Sequence, residues 1–326
     1  MIYIESTSRN PYYNLALEDY VFSSMDASES YFMLWQNSNT IVVGKYQNTA
    51  EEVNQKVVDE QGIRVVRRLS GGGAVYHDDG NLNFTFIMNK PRNKDFDFSS
   101  FVEPIIEALQ DLDVDAEFSG RNDITIKGLK ISGNSQYVKG ERVLHHGCIM
   151  LDSNLERVKD ALTVREAKFE SRSVKSVRSR VTTINANAPH KITMEEFKDA
   201  IKKRVFLNEN VTEYILNECD EASIERLMKD KYETWEWNYG FNKEYSLRRE
   251  KKFNSGLVSV DMEVEHGRIR DIRITGDFFG VGEITCLTER MKGLALDDDL
   301  AENLDRLCVD EYIHGVTAKD LAELIK

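Results

Sequence analysis

The chain has 326 residues, 41% of them hydrophobic and 30% charged, with a formal net charge of −13 at pH 7. That is enough apolar material for one large and one small domain. The negative balance argues against a nucleic-acid partner, which demands a basic footprint, and no uninterrupted stretch of about 18 apolar residues offers a membrane span. The opening MIYIESTSRNPYYNLALEDY lacks a basic segment followed by a long apolar core, so a cytoplasmic protein is expected.

In chain order, Asn10 followed by Pro11 predicts a helix start, continued by the amphipathic spacing of Leu15, Leu17, Tyr20 and Val21. Tyr31 to Trp35 and Thr40 to Val43 read as strands, joined as a hairpin by Gln36-Asn37-Ser38-Asn39. Glu51 to Gln61 reads as a helix stopped by Gly62. A strand from Leu82 to Met88 places Leu82, Phe84 and Phe86 on one face. Ser99 to Leu112 is a predicted helix, Ile124 to Gln136 and Arg142 to Leu151 are strands, and Asn154 to Leu162, Met194 to Phe206 and Glu221 to Tyr232 are helices.

The stretch FNKEYSLRREKKF, Phe241 to Phe253, has clustered charge and no sustained periodicity, so it reads as a domain connection. Beyond it Val258, Val260, Met262 and Val264 alternate, turn at Glu265-His266-Gly267, and return through Ile269, Ile272 and Ile274. Three helical segments follow, Glu283 to Lys292, Asp297 to Leu307 and Ala318 to Ile325. The expected fold is therefore α+β: a large domain over residues 1–245 with mixed, mainly antiparallel sheets flanked by helices, and a small α+β domain over residues 250–326. The latter has 17 acidic and 10 basic side chains, a surplus that weakens the case for tight docking beside an anion site. The triplet Asp297-Asp298-Asp299 reads as helix N-terminal charge rather than a magnesium site. Cys148, Cys219, Cys286 and Cys308 form no Cys-x-x-Cys pair and read as reduced, mostly buried thiols. His145 and His146 are adjacent on a strand, so at most one faces a pocket.

The chemistry concentrates in Arg67 to Phe84, RRLSGGGAVYHDDGNLNF. Three consecutive glycines, Gly71, Gly72 and Gly73, separate two strand-like segments and can bring backbone N–H groups against an anion. Ser70 adds a hydroxyl, and Arg67 and Arg68 diverge to opposite faces, so one guanidinium can reach the loop. A glycine-rich bulge or sheet corner is the plain alternative. A Walker A loop would need a Gly-Lys-Ser or Gly-Lys-Thr ending, and a dinucleotide fingerprint a helix directly after its glycines; neither is present. The second constellation is the hairpin ITIKGLKISG, with Lys127-Gly128 at its tip. Alternation on its return strand puts Lys130 and Ser132 on one face and Ile131 on the other. By itself Lys130 would default to a surface position.

Four strings in one order carry a family resemblance: RRLSGGGAVYHDDGNLNF, then GRNDITIKGLKISGNSQY from Gly120, then HHGCIMLD from His145, then SVRSRVTTI from Ser176. Together with WEWNYG at Trp235 to Gly240, they resemble the lipoate–protein ligase family, and the last part of the chain is similar to its small accessory domain. The resemblance implies a biotin/lipoate ligase-like fold and ATP-dependent activation of lipoate to lipoyl-AMP, then transfer to a lysine of an acceptor. It implies Lys130 as the essential lysine. It also implies ATP or adenylate contacts from Arg68, Ser70, Gly71, Gly72, Gly73, Ala74, Val75, Tyr76, Asn81 and Asn83, and lipoate contacts from Lys130 and His146. Asp123 is a candidate for a further polar or metal contact; no dedicated metal motif is present, and Mg²⁺ is expected on the pyrophosphate oxygens.

The implied acceptors are apo lipoyl domains of 2-oxoacid dehydrogenase acyltransferase subunits or the glycine-cleavage H protein. Arg172, Lys175, Arg178 and Arg180 form the locally basic stretch that would steer an acidic domain. The alternative reading is an ATP-independent acyltransferase of the same fold, moving octanoyl or lipoyl groups through a thioester on Cys148.

Overall fold

The computed structural model describes residues 1–89, 97–120, 122–157, 162, 181–207, 211–240 and 245–326. In chain order the first strands are β1 (Ile2–Glu5), β2 (Tyr31–Trp35), β3 (Thr40–Val43), β4 (Arg64–Arg67), β5 (Val75–His77) and β6 (Asn81–Asn89). They are followed by β7 (Glu117–Ser119), β8 (Asp123–Ile126), β9 (Leu129–Lys139), β10 (Arg142–Met150) and β11 (Thr212–Glu213). The last three are β12 (Leu247–Phe253), β13 (Gly256–Glu265) and β14 (Arg268–Gly276). One sheet runs β11-β1-β2-β6-β10-β9-β8-β7, a second β4-β3-β5, a third β12-β13-β14. Pairing is mainly antiparallel, with parallel contacts at β1–β2, β1–β11 and β3–β4.

Both faces of the large sheet are covered, which is why β2 is buried at every position. Its alternate residues divide accordingly. Phe32 and Leu34 join Leu82, Phe84, Ile105 and Phe197 on the side of the helices Ser99–Gln110 and Met194–Val205. Tyr31, Met33 and Trp35 join Leu15, Val21 and Val42 on the side of the helix Pro11–Ser23. Each fully buried Phe or Leu contributes about 1.5–3 kcal/mol. The Asn10 side chain caps the helix Pro11–Ser23 by accepting from the Tyr12 N–H, as the Asn-Pro signal predicts.

Several expectations change. Tyr31–Trp35 and Thr40–Val43 are strands, but not a hairpin: they enter different sheets. The connection is held by buried side chains, Asn37 Oδ1 accepting from Asn14 Nδ2 and Gln36 Nε2 donating to the Asn81 carbonyl. The helix read over Glu51 to Gln61 is two short ones, Thr49–Glu52 and Gln55–Gln61. Asn54 caps the second, which Gly62 ends in the left-handed conformation. Glu218–Leu227 is helical and runs on as a π turn over Met228–Tyr232. The segment Asn154 to Leu162 lies partly outside the described residues. Cys219, Cys286 and Cys308 are exposed, not buried.

The charged stretch read as a connection is partly strand. Leu247–Phe253 pairs with β13 as an edge strand whose Arg and Lys side chains face solvent on both sides, a pattern that protects edges and hides alternation. β12 to β14 and the helices Ile284–Met291, Leu300–Asp305 and Ala318–Ile325 enclose a core of their own, which Tyr46 also enters.

Candidate active site

The cavity-facing side of the large sheet is organised in rows of paired residues. Trp35, Asn83, Cys148, Gly133 and Asp123 are register partners across β2, β6, β10, β9 and β8. One step along, roughly 6.6–6.8 Å away for two residues of strand, comes Met33–Thr85–His146–Ser135. A further step brings the more apolar row Tyr31–Ile87–Leu144–Tyr137. Over the first two rows lies a cavity of about 130 Å³, roofed by Leu15, Val42, Arg68 and Gly72 to Val75.

Lys130 reaches the first row through a β-bulge. The β8–β9 register shifts between Ile124 and Thr125, so that Ile124 pairs with Ser132 while Thr125 pairs with Lys130. Ile131 is the extra residue and is buried in the core behind the sheet. Lys130 and Ser132 therefore do not share a face, as simple alternation would have them. Lys130 lines the cavity, its Nζ 3.0 Å from where a Cβ on Gly133 would lie, whereas Ser132 pairs with Ile149 at the rear. Bulges next to active sites re-aim side chains in this way. Lys130 Nζ contacts Asp123 Oδ1 at 2.7 Å. The hairpin tip, Lys127 and Gly128, has φ of 52° and 75°, the two left-handed residues a tight hairpin turn requires.

Arg67 and Arg68 do diverge. Arg67, 2% exposed, donates to the carbonyls of Gly44, Gln47, Trp237 and Asn238 and to Thr49 Oγ1. It clamps three segments and does not line the cavity. Arg68 lines the cavity but spends its donors on the loop: Nε to Ser70 Oγ, Nη2 to the carbonyls of Gly71 and Gly73 at 2.6 and 2.9 Å. Burial pulls both guanidinium pKa values down, to about 10, leaving both charged at neutral pH. Arg68 thus shapes the glycine loop from inside.

Ser70 continues the network. His146 Nδ1 lies 2.9 Å from the Glu18 carboxylate, an acceptor only, so Nδ1 carries a proton. In the neutral ring Nε2 then accepts from Ser70 Oγ at 2.6 Å. Glu18, 1% exposed, also accepts from Thr85 Oγ1, which accepts from Trp35 Nε1. His145 points the opposite way, stacked on Phe101 at 4.7 Å, and burial holds its pKa well below the usual range.

Of the expected contacts, Arg68, Gly72, Gly73, Ala74, Val75, Asn83, Lys130 and His146 meet at this cavity. Ser70 and Gly71 sit behind it, Gly71 through a carbonyl that accepts from Ser135 Oγ. Tyr76 turns into a separate cluster with Ile41 and Val65, and Asn81 reaches the site through Asn83 Oδ1. Arg172, Lys175, Arg178 and Arg180 lie outside the described residues. Among the described residues, no group of three or more His, Cys, Asp or Glu could hold a metal ion, and no helix is long and apolar enough to cross a membrane.

Sequence reading missed Leu15, Glu18, Trp35, Val42 and His77. Glu18 was findable: it lies one turn from Leu15 on the apolar side of its helix, where an unpaired carboxylate would not be placed. Burial pushes the Cys148 thiol pKa up, against the nearby Lys130 and Arg68 charges, so the sulfur is a thiol at neutral pH and a poor nucleophile.

The C-terminal unit docks directly on the glycine loop. Gly72 N–H donates to the Phe278 carbonyl at 3.3 Å, and a Cβ on Gly71 would lie 2.3 Å from that oxygen. Phe278 stacks on Tyr46 at 4.8 Å, and Phe279 packs on Phe98. Lys45 pairs with Glu283 at 2.7 Å. The acidic surplus does not keep the unit off the loop, because it is a sum over the unit, while the contact uses glycine backbone and aromatic rings.

A family model described as the lipoyl protein ligase A/B catalytic domain matches residues 10–206, and one described as the bacterial lipoate protein ligase C-terminus matches residues 242–325. Lipoate–protein ligase 1 of Staphylococcus aureus is 45% identical over 317 residues, 97% of each chain. Plasmodium falciparum LipL1, solved in complex with lipoate, superposes with a TM-score of 0.77 at 24% identity, covering 99% of this chain and 97% of that one. A lipoate-protein ligase A solved with bound ATP has a TM-score of 0.62 at 25% identity, covering 73% and 97%.

Proposed function

Because the chain belongs to the lipoate–protein ligase family, we propose that it activates lipoate with ATP and transfers the lipoyl group to apo lipoyl domains. These would be domains of 2-oxoacid dehydrogenase acyltransferase subunits, the glycine-cleavage H protein, or both. The observation that carries this reading is that the β9 bulge brings Lys130 to the Gly133–Asp123 end of the row running from Trp35 to Asp123, here the head row, while Leu15, Trp35 and Val42 make the other end of the cavity apolar. An alkyl chain lies along Leu15, Trp35 and Val42, and its carboxylate meets the ammonium.

In the first step a carboxylate oxygen attacks the α-phosphorus of ATP, and the bond to pyrophosphate breaks. Negative charge spreads over the phosphoryl oxygens. Lys130 bridges carboxylate and phosphate, and the Gly72 to Ala74 backbone, held open by Arg68, borders the phosphate. Mg²⁺ would come with the nucleotide, Asp123 is the carboxylate that would face it, and the ion would offset phosphate charge. In the second step an acceptor amine displaces AMP from the acyl carbon. Residues 1–245 supply these steps, and residues 250–326 act as an accessory domain whose Phe278 carbonyl holds a glycine-loop N–H that phosphate could otherwise use. The protein works in the cytoplasm.

Pyrophosphate release measured with lipoate and ATP, before any acceptor is added, tests the reading. A ligase releases pyrophosphate up to the amount of enzyme. An acyltransferase working through Cys148 releases none, and that outcome would move the assignment to the thioester mechanism.

A further inference from the structure

Two buried side-chain nitrogens at the cavity have no hydrogen-bond partner among the described residues: His77 Nε2, and Asn83 Nδ2 with the amide oriented so that its Oδ1 accepts from Asn81 Nδ2. Their side chains are 3% and 1% exposed, and both residues line the cavity. The protonation of His77 follows from hydrogen bonds that lead back to the first helix. Asn14 Nδ2 lies 3.0 and 2.9 Å from the carbonyls of Ser8 and Gln36, which identifies it as the amide nitrogen. It also meets Asn37 Oδ1 at 2.9 Å. Asn37 must therefore present its nitrogen to His77 Nδ1, 3.2 Å away. Nδ1 accepts, so the ring proton is on Nε2.

That proton stays. Burial, reinforced by the Arg68 charge and by His146, lowers the His77 pKa to about 3, so the ring is neutral at neutral pH. An unpaired buried donor is unfavourable, and a ligand oxygen bound beside it in the cavity would relieve it.

Their position limits which oxygen that is. The His77 ring packs edge-on against Trp35, 6.3 Å between centroids, and Trp35 is the register partner of Asn83. Both donors therefore border the head row at its Trp35 end, beside the apolar tail zone. Lys130 stands over Gly133 at the other end, two strand spacings or roughly 9–10 Å from Asn83 along the row. The acyl carbon of a bound adenylate lies between tail and phosphate, hence between these two ends.

We propose that His77 Nε2–H and the Asn83 amide form an oxyanion subsite for the acyl oxygen, acting in the transfer step. This rests on the ligase reading above. The acceptor amine forms a C–N bond to the acyl carbon, and the C=O π pair moves onto the acyl oxygen, which the two neutral donors stabilise. The pair then returns, the bond from carbon to the phosphate oxygen breaks, AMP leaves with that electron pair, and the ammonium proton passes to solvent.

The test supplies pre-formed lipoyl-adenylate and an apo lipoyl domain to wild type, His77→Phe and His77→Gln. Gln can place an N–H where Nε2 stands, and Phe cannot. Transfer by His77→Phe should fall roughly 10²–10³-fold, the loss typical of one oxyanion donor, with lipoate affinity unchanged, and His77→Gln should recover to within about tenfold of wild type. ¹⁵N NMR of wild type should show His77 protonated at Nε2, its N–H moving downfield when a sulfamate analogue of lipoyl-adenylate binds. Near-normal transfer by His77→Phe overturns the subsite, as does a folded His77→Gln no faster than His77→Phe. Should His77→Phe not fold, Asn83→Leu is judged by the same criterion: near-normal transfer overturns the subsite, and a comparable loss supports it. Failure of wild type to release pyrophosphate from ATP and lipoate would refute the ligase reading instead.

Discussion

Lys130→Ala is expected to slow adenylate formation roughly 10²–10³-fold, equivalent to about 3–4 kcal/mol of barrier, without unfolding the protein. The activity loss follows from removing the ammonium that β9 aims over Gly133, where carboxylate and α-phosphate would meet. Stability should hardly change. The Lys130–Asp123 pair is about one-third exposed at both partners, 35% and 34%, and pairs that exposed contribute at most about 1 kcal/mol. Lipoate should still bind through the apolar zone, so the defect should lie mainly in the rate constant. Pyrophosphate release at saturating lipoate and ATP measures it, and near-normal release from a folded Lys130→Ala would remove Lys130 from the chemistry.

Arg67→Leu should have the largest effect on folding. The guanidinium joins Gly44 to Gln47, Thr49 and the helix Trp235–Tyr239 from one buried point. Leucine fills part of the volume but donates nothing, and two stranded acceptors at roughly 1–3 kcal/mol each give about 2–6 kcal/mol of destabilisation. Urea unfolding monitored by tryptophan fluorescence reports it, since Trp237 Nε1 donates to the Arg67 carbonyl. A loss below about 1 kcal/mol would show that the carbonyls find other donors. Arg68→Leu should be milder for folding, because Arg68 ties the loop only to itself, Ser70 and the Val42 carbonyl.

The contrast between these arginines also shows what the sequence could convey. Alternation on a strand separated Arg67 from Arg68 and His145 from His146, because period two survives wherever the ladder is regular. Where the ladder slips, the same rule misleads: one inserted residue at Ile131 exchanges faces, and no residue type in KISG announces it. The glycine loop was legible from composition, since three adjacent glycines have few uses. Its interior support was not, because an arginine on a strand reads equally as an anion ligand or as a donor to carbonyls. β12 escaped notice since its charged side chains erase the apolar pattern that marks a strand. The docking of Phe278 on Gly72 was hidden because net charge is an average, while contact is local. Glu18 and His77 depend on partners, Glu18 on His146 and His77 on Asn37, that are distant in sequence; only the fold brings them together.

The most direct measurement is a chase. Enzyme is incubated with lipoate and ATP, freed of nucleotide by rapid desalting, and then mixed with an apo lipoyl domain without further ATP. The ligase account predicts that bound lipoyl-AMP, seen by mass spectrometry before mixing, disappears as an equal amount of lipoylated lysine and AMP forms. Absence of bound adenylate, or lipoylation arising from an acyl thioester on Cys148, would contradict it.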